Sequence, residues 1–199
     1  GTALYSANFA PPTGTLTTIS NTALLTNYTN MNIYDAHSGI DLITVGDAKS
    51  STAQTKFANA SIALDGTGDY LLGANITTTA LSGAQFTVDG WLYYNTVSGL
   101  QYIVDTRLTN TSTTGLAISS NANGYLTVTM NNVTVVTSNT AFVANTWTFF
   151  AVTRSSTNVV ACWINGSNVG GAVNATSLSD TGLVIGTSIA NRDATSTNH

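Results

Sequence analysis

Residues 116–136 read LAISSNANGYLTVTMNNVTVV. Three short runs, 116–119, 125–130 and 133–136, are separated by spacers that end in Asn123-Gly124 and consist of Asn131-Asn132. Asn-Gly between alternating runs is the strongest short-range hairpin signal, because Asn and Gly tolerate the positive φ that matches the twist of paired strands. The stretch therefore predicts successive antiparallel hairpins. The same punctuation continues downstream. WTFFAVTR (147–154) is followed by a polar turn at 155–158, and VVACWI (159–164) runs into a further Asn-Gly at 165–166. A last strand is expected around 183–185.

Upstream, FTVDGWLYY (86–94) places Phe86, Val88, Leu92 and Tyr94 on one face and Thr87, Asp89, Trp91 and Tyr93 on the other. Period two over nine residues is a strand pattern. YIVDT (102–106) reads as another strand, 42–45 as a short one, and 57–64 and 70–72 as extended runs flanking DGTGD (65–69). Residues 21–34 suggest a first strand followed by a loop. Residues 1–20 hold both prolines and read as an extended linker or the end of a preceding unit. The body is expected over 21–190, with a polar tail at 191–199. About a dozen short strands without a helical period predict an all-β fold, a two-sheet antiparallel β-sandwich or jelly roll.

Composition agrees. Charged residues make up 7 % of the 199, and all nine acids are Asp, against roughly 25 % charge in ordinary domains. Glu, a common filler of helix surfaces, is absent. Ser and Thr exceed a quarter of the chain, while 43 % is hydrophobic, too much for a disordered segment. Net charge is −4 with no basic run, which excludes a nucleic-acid partner. No apolar run reaches the roughly 20 residues of a membrane-spanning helix. Cys162 is the only cysteine, so no internal disulfide forms, and VVACWI suits a buried thiol. Seven N-x-S/T sequons, at Asn27, Asn59, Asn75, Asn110, Asn132, Asn165 and Asn174, carry little weight in so Asn- and Thr-rich a chain.

The candidate chemistry is sparse. In DGTGD, Asp65 and Asp69 offer carboxylates to a hard cation such as calcium. The competing and stronger reading is a tight turn with Asp capping backbone amides. Asp105 joins the metal candidates, or else makes a solvated pair with Arg107. His37 reads as a loop histidine and His199 lies at the end of the chain. Trp91, Tyr93, Tyr94 and Tyr102 are expected near one sheet, and Trp91, Tyr93 and Tyr102 are the candidate glycan-stacking residues. The competing reading places Trp91, Trp147 and Trp163 in the core between the sheets.

Six motifs in order, IALDGTGDYL (62–71), FTVDGWLY (86–93), NGYLTV (123–128), NTWTFFAVTR (145–154), CWINGSNVG (162–170) and GLVIGT (182–187), resemble the laminin-G-like, concanavalin A-like lectin/glucanase jelly roll. The resemblance covers about residues 20–188. NTALLTNYTN-x-x-IYD (21–35), TVGDA-x-x-STAQTKF (44–57) and LDGTGDYL (64–71) are similar to modules of marine bacteriophage virion and tail-fibre proteins. It implies a non-enzymatic structural module on a virion surface or in an extracellular fibre, packing against copies of itself or other virion proteins and adhesive to cell-surface polysaccharide. A carbohydrate-binding module of a secreted bacterial adhesin is the alternative. It also implies calcium at one rim. The glucanases of this fold use a Glu pair, and a chain without Glu lacks it. The closing strand usual in such modules is not found before His199, whereas ALYSANFAPPTG (3–14) resembles the tail that succeeds that strand in a preceding unit. The chain is thus expected to be a piece of a tandem protein, or to have one sheet edge completed by a neighbour.

Overall fold

A computed structural model describes residues 1–28, 33, 35–37, 42–57, 60–73, 81, 85–107, 109, 113–179 and 182–188. The polar tail at 191–199, with His199, and the sequons at Asn59, Asn75 and Asn110 lie outside the described residues. Thirteen strands are described: β1 (Ile43–Val45), β2 (Lys49–Ser51), β3 (Ser61–Ala63), β4 (Tyr70–Leu72), β5 (Phe86–Tyr93), β6 (Gln101–Asp105), β7 (Leu116–Ser120), β8 (Tyr125–Met130), β9 (Val133–Ala141), β10 (Trp147–Arg154), β11 (Val159–Ile164), β12 (Ser167–Val173) and β13 (Val184–Ile185). They form a seven-stranded sheet in the order β1-β4-β13-β6-β7-β8-β9, a four-stranded sheet β12-β11-β10-β5, and the pair β2-β3. All pairings are antiparallel. This is the expected sandwich.

The hairpins that decide the fold form because their turns are chemically suited. Asn131 and Asn132 lie at φ 50° and 61°, Asn165 and Gly166 at 49° and 81°. Two consecutive positive-φ residues make the primed turns that keep paired strands twisted together. The main core fills the space between the sheets. Ile118, Leu126, Val128, Met130 and Val136 project from the larger sheet, and Phe86, Phe150, Val152, Val160 and Cys162 from the smaller one. Cys162 is a buried thiol whose pKa burial pushes up to about 12, so it stays protonated and inert.

A second core lies where the larger sheet extends beyond the smaller. Ile185 pairs with Val104, and Val104 with Ile118, so Ile185 and its partner Leu71 share the inner face. There they meet Leu24, Tyr28, Ile33, Leu42, Ile62 and Leu64 rather than the four-stranded sheet. The expected strand within 21–34 reduces, among the described residues, to one bridge between Thr26 and Asp35. The chain there is held instead by Asp35, whose Oδ1 accepts the amides of Leu25 (2.8 Å) and His37 (2.9 Å). His37 itself is exposed in that loop, as expected.

The outer face of the four-stranded sheet is also apolar. Phe149, Ala151, Ala161 and Trp163 are buried on it. Their cover is the N-terminal segment expected to be a connector. Tyr5 and Phe9 stack on each other at 3.8 Å and meet Phe149 edge-on at 6.2 and 5.8 Å. Polar contacts fix the segment along its length. The Tyr5 hydroxyl donates to Asp89 Oδ2 (2.7 Å), the Leu4 amide to Thr87 Oγ1 (2.9 Å), and the Phe9 amide to the Gly166 carbonyl (2.8 Å). The Asn168 amide donates to Asn8 Oδ1 (3.0 Å). A Cβ on Gly166 would stand 1.7 Å from the Phe9 carbonyl oxygen, so the close approach requires glycine there.

Phe150→Ala removes a ring 3 % exposed at the centre of the main core, and is expected to lower unfolding free energy by about 3–5 kcal/mol in urea titrations. A second expectation concerns pH. Burial raises the pKa of Asp89, with the Tyr5 hydrogen bond partly opposing it. A carboxylate that titrates higher when folded binds its proton more tightly in the folded state, so stability is lost as pH rises through that raised pKa. Asp89→Asn keeps an acceptor for Tyr5 and has no proton to lose. Its Tm is therefore expected to gain on the wild type as pH rises from the ordinary carboxylate range towards neutrality, and a constant difference would contradict this account.

Candidate functional site

The outer face of β5 and β10 carries the aromatic residues. Alternation sends Thr87, Asp89, Trp91 and Tyr93 outward on β5, and the register pairs Trp91 with Phe149 and Tyr93 with Trp147 on β10. The expectation that Trp91, Trp147 and Trp163 fill the core between the sheets is therefore corrected: all three stand on the outer side, where β10 and β11 are as apolar as on the inner side. Trp163 is sealed beneath the N-terminal segment, 5.7 Å from Phe9, and its Nε1–H donates to Thr153 Oγ1 at 3.0 Å. Trp91 is capped by the loop after β2: Phe57 meets it edge-on at 5.6 Å, and Lys56 Nζ lies 3.9 Å from its ring centroid, in cation–π contact.

Tyr93 and Trp147 lie at the far end of β5 and β10, where among the described residues no aromatic contact joins them to either cover. Their rings are tilted at 58°, with centroids 5.6 Å apart, and both side chains are half-buried. The turn before β10 holds them: Asn145 takes φ 56° and its amide donates to the Tyr94 carbonyl at 2.7 Å. Exposed Asn95, Thr96, Asn145 and Thr146 flank the pair in the chain. Two half-exposed rings bordered by amides and hydroxyls can stack against the apolar face of a sugar ring and bond its hydroxyl groups.

The other sequence candidates lie elsewhere. Tyr94 points into the core against Phe142 (5.3 Å), and among the described residues its hydroxyl has no partner. Tyr102 belongs to the seven-stranded sheet, opposite Ser119, so it does not join Trp91 and Tyr93. Only Trp91 and Tyr93 of the three glycan candidates share a surface. Trp147, which completes the half-buried pair, follows from the strand register as the cross-strand partner of Tyr93.

The carboxylates of the proposed metal set are already engaged. Asp69 is buried, 3 % exposed. Its Oδ1 accepts the Asp47 amide, and its Oδ2 accepts the Asp65 amide at 2.8 Å. Asp65 is exposed and its Oδ1 accepts the Thr67 amide at 2.7 Å, a local Asx turn. DGTGD is thus a bend tying the β3–β4 connection to the β1–β2 turn. Gly46, at φ 69°, is needed there because a Cβ would meet Asp69 Oδ1. Asp105 is fully buried and bound two-fold by Arg107, with Nη2 at 2.6 Å and Nε at 3.0 Å. That hydrogen bonding raises the Arg107 pKa. The pair expected to be solvated is a half-buried joint instead, because Asp105 sits on a central strand. Among the described residues no group of three or more His, Cys or Asp could hold a metal ion. These residues do not fit a calcium site.

Comparison with solved structures gives the fold an independent reference. The chain is similar to the botulinum neurotoxin serotype C1 binding domain (15 % identity, TM-score 0.64, covering 82 % of this chain and 42 % of that one). It is also similar to the receptor binding domain of the botulinum neurotoxin C/D mosaic serotype (16 % identity, TM-score 0.63, covering 82 % and 42 %). A third similarity is to a botulinum neurotoxin type C structure described as showing cell entry dependent upon interaction with two ganglioside molecules (13 % identity, TM-score 0.56, covering 83 % and 43 %). The chain thus spans less than half the length of these structures. A search of curated protein sequences gives no significant match. The family model of the concanavalin A-like lectin/glucanases superfamily matches residues 65–197, which take in ten of the thirteen described strands from β4 to β13 and the Tyr93–Trp147 pair. On this match and on its sandwich of antiparallel sheets, the chain belongs to the concanavalin A-like lectin/glucanase superfamily.

Proposed function

We propose that this chain is a non-enzymatic carbohydrate-binding module of a protein displayed outside the cell, on a virion surface or extracellular fibre. The observation that carries the reading is the Tyr93–Trp147 pair, half-buried, placed by β5 and β10, and flanked in the chain by exposed Asn and Thr residues. A sugar presents a C–H face to an aromatic ring and hydroxyl groups to amides, so an aromatic pair with a neutral polar rim suits a glycan better than an anionic or peptide ligand. The fold relative whose description names gangliosides supports the same class of ligand. The low charge and the resemblance to virion modules support the location. The lack of Glu removes the acid–base pair of the glucanase members.

Glycan-array screening of the purified chain, followed by titration with tryptophan fluorescence, tests this. Trp147→Ala and Tyr93→Ala are each expected to weaken binding about ten-fold or more, equivalent to about 1.4 kcal/mol, without lowering Tm by more than a few degrees. Because the carboxylates are engaged within the fold, binding is expected to be the same in calcium and in chelator. A folded chain that binds no glycan on the array, or variants that bind as the wild type does, would overturn the reading.

A further inference from the structure

We propose that the outer face of the four-stranded sheet is a seat for an extended segment with two aromatic residues four positions apart, and that a second copy of this chain can fill it with its own residues 1–9. The seat is specific. Phe149 and Trp163 receive the stacked Tyr5 and Phe9 rings, Asp89 receives the Tyr5 hydroxyl, and Gly166 receives the Phe9 amide. The Thr153 hydroxyl donates to the Tyr5 carbonyl at 3.3 Å. Each of these partners is far away in the chain, at least 84 positions from the residue it receives, so the segment is recognised as a ligand is, by side chains and backbone groups of a preformed surface.

The tether between segment and body is thin. Residues 10–20 contain Pro11 and Pro12 and form no strand. Among the described residues, the side-chain bonds between 1–20 and the next stretch of chain are Asn21 Nδ2 to Thr2 Oγ1 (3.5 Å), Asn27 Nδ2 to the Leu16 carbonyl (3.1 Å), and the Ile19–Thr22 turn. Nothing in the seat depends on which copy supplies the strap. In dilute solution the chain's own segment wins, because a short tether gives it an effective concentration on the order of millimolar. When copies are crowded side by side, or when the local strap is disabled, exchange links one copy to the next at no cost in new surface. A bare sheet face would expose Phe149, Ala151, Ala161 and Trp163 as one contiguous apolar patch, so covering it is favoured. That preference makes an incoming strap the natural occupant. The surface adjoins the Tyr93–Trp147 pair but does not depend on glycan binding.

Complementation between two full-length variants tests the proposal. Tyr5→Ala/Phe9→Ala disables the strap and leaves the seat intact. Gly166→Ala blocks the seat, through the contact its Cβ would make with the Phe9 carbonyl, and leaves the strap intact. Each alone is expected to sediment as a monomer, and their mixture to give a one-to-one dimer by analytical ultracentrifugation. Should either variant fail to fold alone, a labelled peptide of residues 1–12 replaces the strap donor. It is expected to bind the Tyr5→Ala/Phe9→Ala chain, or to restore its fold when present during refolding, and to bind the wild type at least ten-fold more weakly. The same peptide with both aromatics changed to Ala is expected to do neither. Folded variants that remain monomeric when mixed, or a wild-type peptide that neither binds nor restores the fold, overturn the proposal.

Discussion

Strands β10 and β11 have no polar face. On β10, Phe150 and Val152 enter the core between the sheets, while Phe149 and Ala151 look the other way. On β11, Val160 and Cys162 alternate with Ala161 and Trp163 in the same manner. An antiparallel sheet in water ordinarily leaves one face solvated, and its strands then read apolar-in and polar-out. Here that solution is closed off, because each face carries aromatic or aliphatic side chains whose exposure costs on the order of 25 cal/mol per Å² of apolar surface. The smaller sheet therefore has to be the middle layer of three. The seven-stranded sheet covers it on one side. Tyr5 and Phe9, with the Lys56–Phe57 loop, cover most of the other. Among the described residues, no aromatic contact from these covers reaches Tyr93 and Trp147, whereas Trp91, likewise half-buried, carries Phe57 and Lys56.

The unequal width of the two sheets creates the other joint of the molecule. Three strands, β1, β4 and β13, extend the larger sheet past β6, and their inner residues need a cover that the four-stranded sheet does not supply. Segments from the first third of the chain provide it through Leu24, Tyr28, Leu42, Ile62 and Leu64. Such a patchwork needs its loops held in register, and the DGTGD bend does so. One buried carboxylate, Asp69, gathers the amides of residues 47 and 65, from two different connections. Removing its acceptor atoms would take the shared partner from two backbone donors and untie the two connections. The sequence feature that looked most like a ligand site is thus a fastening of the fold.

Where local signals were doubled, the sequence was enough. Strands β8, β10 and β11 begin and end where alternation and turn residues place them. Two strands were not legible. β2 is KSS, polar throughout, and is a strand only because β3 pairs with it. β12 is SNVGGAV, and its Gly170 is there because the backbone of β9 comes within 3.2 Å of where a Cβ would stand; close approach, not periodicity, chose that residue. Periodicity also could not say which face of β10 looks inward, since both are apolar, and this placed Trp147 in the wrong layer. Tyr102 was grouped with Trp91, yet it stands on QYIVD of the other sheet. Which sheet a strand joins is decided by long-range pairing, and no local pattern reports it.

The scarcity of charge gives a final link between composition and surface. The charged groups that the fold buries act as joints. Asp35 and Asp69 each collect two backbone amides, and Asp105 is locked to Arg107. Asp89 takes the strap's hydroxyl, and Arg154, 3 % exposed, donates to the Thr176 carbonyl and to Asn158 Oδ1. Few ionic groups remain to generate a long-range field, so steering of a charged partner is weak and the surface acts through contact. Contact recognition by a nearly neutral surface depends on shape, ring stacking and amide hydrogen bonds, which are short-ranged and weak one at a time. Weak contact sites of this kind gain affinity by repetition, when several are held together against a repeated ligand. On the two proposals made above, a strap shared between copies would supply the number of sites and the Tyr93–Trp147 pair would supply the site.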